Sequence, residues 1–141
     1  MKNHAAFITV ETLVNAPIDE VWAYWTDPEH IKQWNSPSVD WHTPYAENDV
    51  RTGGKFLFVM KTKDGGSGFD FKGTYDEVSF HEKISYTTTD GRKATNLFIA
   101  TPAGIRITET FEPNQDDPAE LQRDFVAGVL MTFKTYVESK V

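Results

Sequence analysis

The sequence contains no cysteine, which removes at once a disulfide framework, a thiolate metal site and a thiol nucleophile. It also lacks any basic run. With 21 acidic against 14 basic residues and a net charge of −7, a polyanion such as DNA or an acidic membrane would be repelled, so no nucleic-acid partner is expected. The amino terminus, Met1-Lys2-Asn3-His4-Ala5-Ala6-Phe7, has no long apolar segment of the signal-peptide kind and passes straight into an alternating pattern. The expectation is a cytoplasmic protein without membrane insertion. Repeats, low-complexity tracts and linkers are missing too. The 141 residues therefore read as a single domain, 1–141, of a size that buries roughly 68–70% of its unfolded surface.

Recognisable catalytic signatures are equally scarce. His4, His30, His42 and His81 form no His-x-His or His-x-x-x-His pair, and without cysteine a zinc site would need carboxylates from several strands. There is no Gly-x-Ser-x-Gly elbow, Walker loop or dinucleotide fingerprint. The cluster Gly65-Gly66-Ser67-Gly68 lies between two strands rather than opening a helix, and reads as a hairpin. No metal and no cofactor is implied, and no catalytic residue is assigned.

What is present is organised by the last helix. Asp117-Pro118-Ala119-Glu120 offers an acidic N-cap, proline at the first helical position and glutamate three residues after the cap. The helix is expected to run to about Lys140. One seam carries Leu121, Phe125, Val129, Thr132 and Tyr136, and beside it lie Val126, Leu130, Phe133 and Val137. More than half its circumference is apolar, yet its uncharged run from Asp124 to Lys134 is too short to cross a bilayer. Another part of the chain must cover it.

Residues 7–14 alternate and are rich in β-branched types, so they read as a strand ending at Asn15-Ala16-Pro17. Two short helices follow. In the first, Ile18, Val21, Trp22 and Trp25 share a face and read as core; the second, Glu29 to about Trp34, restarts at Asp27-Pro28. From Val39 the period changes to two, with Gly53-Gly54, Gly65-Gly66, Asp90-Gly91 and Ala103-Gly104 as punctuation. Strands are expected over 39–47, 55–63, 69–79, 83–89, 93–101 and 105–112. Short turns make them an antiparallel meander, to which the first strand attaches at an edge or closes a circuit. The class is α+β: a sheet apolar on one side, curled round one broad-faced helix.

Phase then selects the inward residues. Phe56, Phe58 and Met60 share one face; the same phase gives Phe69, Phe71, Gly73 and Tyr75, then Ile84, Tyr86 and Thr88, then Thr95, Leu97 and Ile99, then Ile105, Ile107, Glu109 and Phe111. A strongly curved sheet and a straight rod diverge at one end, leaving space where a ligand could sit. Its expected boundary is Phe56, Phe58, Phe69, Phe71, Tyr86 and Leu97 from the sheet, with Ile107 beside them. The helix adds Phe125, Val129 and Phe133. Glu109, a carboxylate on an apolar face, must be paired, protonated or directed at a ligand; with Tyr75 it would orient the bound molecule. Asp40 and His42, at i and i+2, could act as an acid/base pair if directed inward, but Val39 and Trp41 are the better inward pair.

Several of these segments together resemble a known family. Ala16-Pro17-x-x-x-Val21-Trp22, Trp25-Thr26-Asp27-Pro28-Glu29-His30-Ile31-x-x-Trp34, Gly53-Gly54-Lys55-Phe56, Gly73-Thr74-Tyr75-x-Glu77-Val78 and the single long terminal helix look like the activator of Hsp90 ATPase homologue 1-like family. That family lies within the START-like superfamily of Bet v 1 allergens, lipid-transfer domains and polyketide cyclases. The resemblance implies a helix-grip fold, an antiparallel sheet of about seven strands holding the last helix over a hydrophobic cavity. It leaves activity open, because members range from small-molecule binders to enzymes and co-chaperones. The leading expectation is a binder of a small hydrophobic ligand, as monomer or homodimer. The alternatives are cyclase- or hydrolase-like chemistry in the same cavity and a chaperone-interacting stress-response module. Where other members often carry tryptophan near the start of the terminal helix, this chain reads Asp124-Phe125-Val126-Ala127-Gly128.

Overall fold

The computed structural model describes residues 6–140; Met1–Ala5, and with them His4 and most of the amino-terminal reading, lie outside it, as does Val141. The elements run β1 (Ile8–Val14), α1 (Ile18–Thr26), α2 (Pro28–Trp34), β2 (Trp41–Asn48), β3 (Lys55–Thr62), β4 (Gly68–Ser79), β5 (Lys83–Thr88), β6 (Lys93–Thr101), β7 (Gly104–Phe111) and α3 (Ala119–Glu138). All seven strands join one antiparallel sheet in the order β1-β7-β6-β5-β4-β3-β2. Chain neighbours pair from β2 to β7 because their turns are too short for a crossover. β1 attaches at the edge beside β7, with Val10 opposite Glu109. The sheet curls into a half-barrel that grips α3, a helix-grip fold.

Both open edges of the sheet are covered, as exposed strand edges must be if they are not to template other chains. Along β1, Arg123 donates to the Thr9 carbonyl (3.2 Å) and Lys134 to the Leu13 carbonyl (2.6 Å), both from α3. At the other edge α2 packs on β2, where the Thr43 hydroxyl donates to the Asn35 carbonyl at 2.6 Å.

The carboxy-terminal half of α3 is the anchored half. Leu130, Phe133 and Val137 are fully buried, and the Phe133 ring stands edge-on to Trp34 and Trp25 with centroids 4.7 and 5.0 Å away. One step earlier, Gly128 lies against the loop after α2: a Cβ there would sit 2.4 Å from the Pro37 carbonyl oxygen. The amino-terminal half is held differently. Phe125, Val126 and Val129 are only half-buried, and Leu121 is 62% exposed.

Three local expectations are corrected. α3 opens at Ala119 with Pro118 as its N-cap and no side-chain cap. The Asp117 carboxylate instead accepts from the Asn114 amide (3.2 Å), while Gln122 reaches back to accept from the Asn114 N–H (2.9 Å) and donate to the Asp117 carbonyl (2.9 Å). A glutamine brace thus replaces the capping box. β2 begins at Trp41 rather than Val39, which is 83% exposed. Pro44, which cannot donate to the ladder, sits where the β2–β3 register shifts between His42 and Tyr45.

The third correction turns a whole strand over. β6 directs Ala94, Asn96 and Phe98 inward, all buried, and leaves Leu97 and Ile99 at 37% and 40% exposure on the convex side. The β5–β6 hairpin closes through Thr89-Asp90-Gly91, with the Thr88 N–H bonded to the Arg92 carbonyl and Gly91 at φ 89°. Tyr86 therefore faces Ala94. Side chains alternate with period two, so a one-residue difference in turn length exchanges the two faces of the following strand.

Candidate functional site

Because α3 is tightly packed only in its second half, a pocket of about 650 Å³ remains between its first half and the concave face of the sheet. α3 lines it with Phe125, Val126 and Val129, together with Leu121 at the rim. Opposite them, Phe56 forms the centre of an aromatic wall. Its ring lies 5.1–5.3 Å from Phe58, Phe71, Tyr75 and Tyr86, and each such pair adds about 0.5–1.5 kcal/mol beyond area burial. Trp25 and Trp34, stacked at 5.0 Å, line the pocket from the two short helices.

Polar side chains are set among these apolar ones, a carboxyl among them. Glu109 of β7 borders the pocket, and opposite it across the ladder stands Asn96. The Asn96 amide donates to one carboxyl oxygen at 2.8 Å, and the Tyr86 hydroxyl approaches the other at 3.4 Å. Burial pushes the Glu109 carboxyl above the usual carboxylate range, an effect opposed by those two hydrogen bonds. Burial, reinforced by the neighbouring Glu109, likewise pushes the Tyr86 hydroxyl well above its ordinary value. Tyr75 closes a second short network: its hydroxyl donates to the Asn48 side-chain oxygen, and the Asn48 amide donates to the Thr26 carbonyl at 2.9 Å. Among the described residues no buried side-chain polar atom lacks a partner.

The pocket reaches the surface where Asp70, Lys93, Asp117 and Leu121 are exposed. Arg92 and Glu112 also border it, with Arg92 Nε held by Asp90 at 2.8 Å.

Of the residues expected at the cavity, Phe56, Phe58, Phe69 and Phe71 line it, as do Tyr75, Tyr86 and Glu109 from the sheet and Phe125 and Val129 from α3. Ile107 and Phe133 are fully buried but belong to the packed core. Leu97 is on the convex side, away from the pocket, for the register reason given above. Asp40 and His42 are both exposed; His42 borders a separate recess of about 360 Å³ with Lys32 and Lys63. Trp41 does turn inward, its ring 5.4 Å from Phe125.

Sequence reasoning missed Asn96 and Asn48, assigned Trp25 to core alone, and gave Trp34 no role beyond ending the second short helix. Asn96 had a signal. The two-residue turn Pro102-Ala103 fixes the β6–β7 register, and that register sets an asparagine directly opposite the suspicious glutamate.

No group of three or more His, Asp or Glu residues suited to a metal ion occurs among the described residues, nor is any helix there long and apolar enough to cross a membrane.

Comparison with known proteins agrees with the architecture. A solution structure of an AHSA1-like protein from Aeromonas hydrophila is 36% identical, with a TM-score of 0.88 over 95% of this chain and 93% of that one. A Cytophaga hutchinsonii protein, also solved in solution, is 43% identical with a TM-score of 0.81 over the same shares. A crystal structure from Chromobacterium violaceum, at 21% identity and a TM-score of 0.85, shares the fold. No curated protein matches the chain. The family model described as "Activator of Hsp90 ATPase homolog 1-like protein" matches residues 15–129, from the end of β1 to the middle of α3. By that match and by its identity to the Aeromonas protein, the chain belongs to the activator of Hsp90 ATPase homolog 1-like family.

Proposed function

We propose that this protein binds a small, largely apolar or aromatic molecule in the pocket beneath the first half of α3, with Glu109 and Tyr75 orienting it. The observation that carries this reading is the pocket itself. Its volume of about 650 Å³ suits a small organic ligand, and its surface is largely apolar, built round an aromatic cluster, with polar and charged side chains set among it, a combination usual in such sites. A two-ring molecule losing about 200 Å² of apolar surface to the pocket would gain about 5 kcal/mol, less the cost of association.

Native mass spectrometry and thermal shift against flavonoids, fatty acids and polyketides test the reading. Retained ligand with a raised melting temperature is expected, and Phe58→Trp, which narrows the pocket from the sheet side, should weaken it while the protein still folds. Uniform failure across the three classes, together with a cavity too small in solution for any of them, would reject it.

A second reading rests on Glu109, whose raised carboxyl meets a tyrosine hydroxyl and an amide at the pocket. That is the arrangement acid–base turnover of the bound molecule would use. It predicts that Glu109→Gln abolishes conversion of a bound polyketide but not its binding; unchanged conversion would exclude Glu109 as the proton-transfer group.

A further inference from the structure

Glu109 is half-buried at the pocket wall, and its partners are neutral. One oxygen accepts from Asn96 and the other faces the Tyr86 hydroxyl, and none of the ion pairs among the described residues involves it. A carboxylate taken out of water normally acquires a cation or a proton. Two cations border the pocket, Arg92 and Lys93, and Arg92 is occupied. Its Nε binds Asp90 at 2.8 Å and its terminal nitrogen lies 3.5 Å from the Glu112 carbonyl.

The surroundings of the carboxyl are those that receive a positive charge. Phe56, Phe71 and Tyr86 pack around one another with centroids 5.2–5.7 Å apart, and aromatic faces attract ammonium groups through their quadrupoles. The charged groups bordering the pocket are Asp70, Glu109, Glu112 and Asp117 against Arg92 and Lys93, an excess of carboxylates. The titratable neighbours are Tyr86 from β5 and Tyr75 from β4, both held protonated by burial, while Phe125, Val126 and Val129 of α3 contribute only apolar surface.

Resting on the pocket reading above, we propose that the ligand is an amphiphilic cation: an aromatic or aliphatic body carrying an ammonium group, which lodges among the aromatic rings and pairs with Glu109. The body excludes water from the carboxyl, and the ammonium supplies the charge that the fold leaves out. Neutral molecules of the same shape bind through the body alone. Anionic ones are disfavoured by the half-buried carboxyl.

Three probes with one ring system separate these cases: 2-naphthylethylamine, 2-naphthylethanol and 2-naphthylacetate, titrated calorimetrically into the full chain at mildly alkaline pH. The amine should bind tighter than the alcohol by about tenfold or more, the scale of a desolvated cation–carboxylate and cation–π contact, and the acid weakest. Glu109→Gln should bring the amine to within about threefold of the alcohol. In the wild type the amine's advantage should shrink as pH falls and Glu109 takes up a proton, a measurement that needs no variant to fold. Equal binding of amine and alcohol would overturn the cation assignment but leave the pocket reading standing. An amine preference that survives Glu109→Gln would overturn the role of Glu109 and transfer it to the rim carboxylates. Failure of all three probes to bind would overturn the pocket reading and this inference with it.

Discussion

Phe125 and Phe133 stand two turns apart on α3, and the same deletion at each should cost very different amounts. Phe133 is fully buried and packed edge-on against two indole rings. Replacing it by alanine leaves a new void in close-packed surroundings, which costs about 3–5 kcal/mol. Phe125 is half-buried, touches Trp41 and Phe69 at centroid distances of 5.4 and 5.9 Å, and borders space that is already empty. Its removal enlarges the pocket instead of creating a cavity, so only the lost transfer term counts. For a half-buried phenylalanine that is about 1 kcal/mol, roughly half the value of full burial. Urea denaturation of the two alanine variants reads the difference directly, as a fall in midpoint at unchanged slope. On the melting temperature the expected ratio is the same, with about 3–5 °C per kcal/mol for a chain of this size. If Phe125→Ala were as destabilising as Phe133→Ala, the first half of α3 would be packed as tightly as the second. The room beneath it would then not exist in solution.

The corrected face of β6 is tested by neighbours: Leu97→Ser should change stability by no more than about 0.5 kcal/mol, whereas Phe98→Ser, which empties a site against Trp22 and Trp25, should cost about 3–5 kcal/mol by urea midpoint. Glu109 links stability to pH. Its native pKa is raised, so between the unfolded value of about 4.3 and the native one the folded chain holds a proton that the unfolded chain has released. Stability is therefore full below the unfolded value and declines as pH rises through the native one. Glu109→Gln should remove that decline, seen as a variant-minus-wild-type difference in urea midpoint that grows with pH; parallel curves would contradict it. Gly128→Val should lower stability by about 1–3 kcal/mol, because the added carbon meets the Pro37 carbonyl; an unchanged melting temperature would show that the loop after α2 yields freely.

Much of the architecture was readable because the physics behind it is local. Period-two alternation in residues 55–62 and 104–111, proline-led starts at Pro17 and Pro28, and a helix apolar over most of its circumference each express short-range preference, and they sufficed to bring α3 into the hollow of a meander. What failed depended on counting through turns. Nothing in Asp90-Gly91 distinguishes a loop that includes Thr89 from one that does not, yet that residue decides whether Leu97 or Phe98 meets the core. The cap of α3 failed for a related reason. Asp117 satisfies every rule for an N-cap, but Gln122 and Asn114 offer the loop a competing set of bonds. At the site, the aromatic wall followed from phase alone. Asn96 emerges only once two strands are set side by side, because a polar pair across a ladder is a property of register, not of either strand.

The sheet order also bears on how the chain assembles. Five of its six strand pairs link segments adjacent in sequence, so each can zip as a hairpin with little loop entropy to overcome. The exception joins Val14 to Ile105 and Ile8 to Phe111, partners on the order of a hundred residues apart, whose meeting carries the largest closure cost. β1, made before the other strands, is thus expected to dock last, and until it does, the Lys134 and Arg123 side chains have no edge carbonyls to hold. Kinetically, alanine variants at Val10 and Val14 are expected to accelerate unfolding and leave the refolding rate almost untouched.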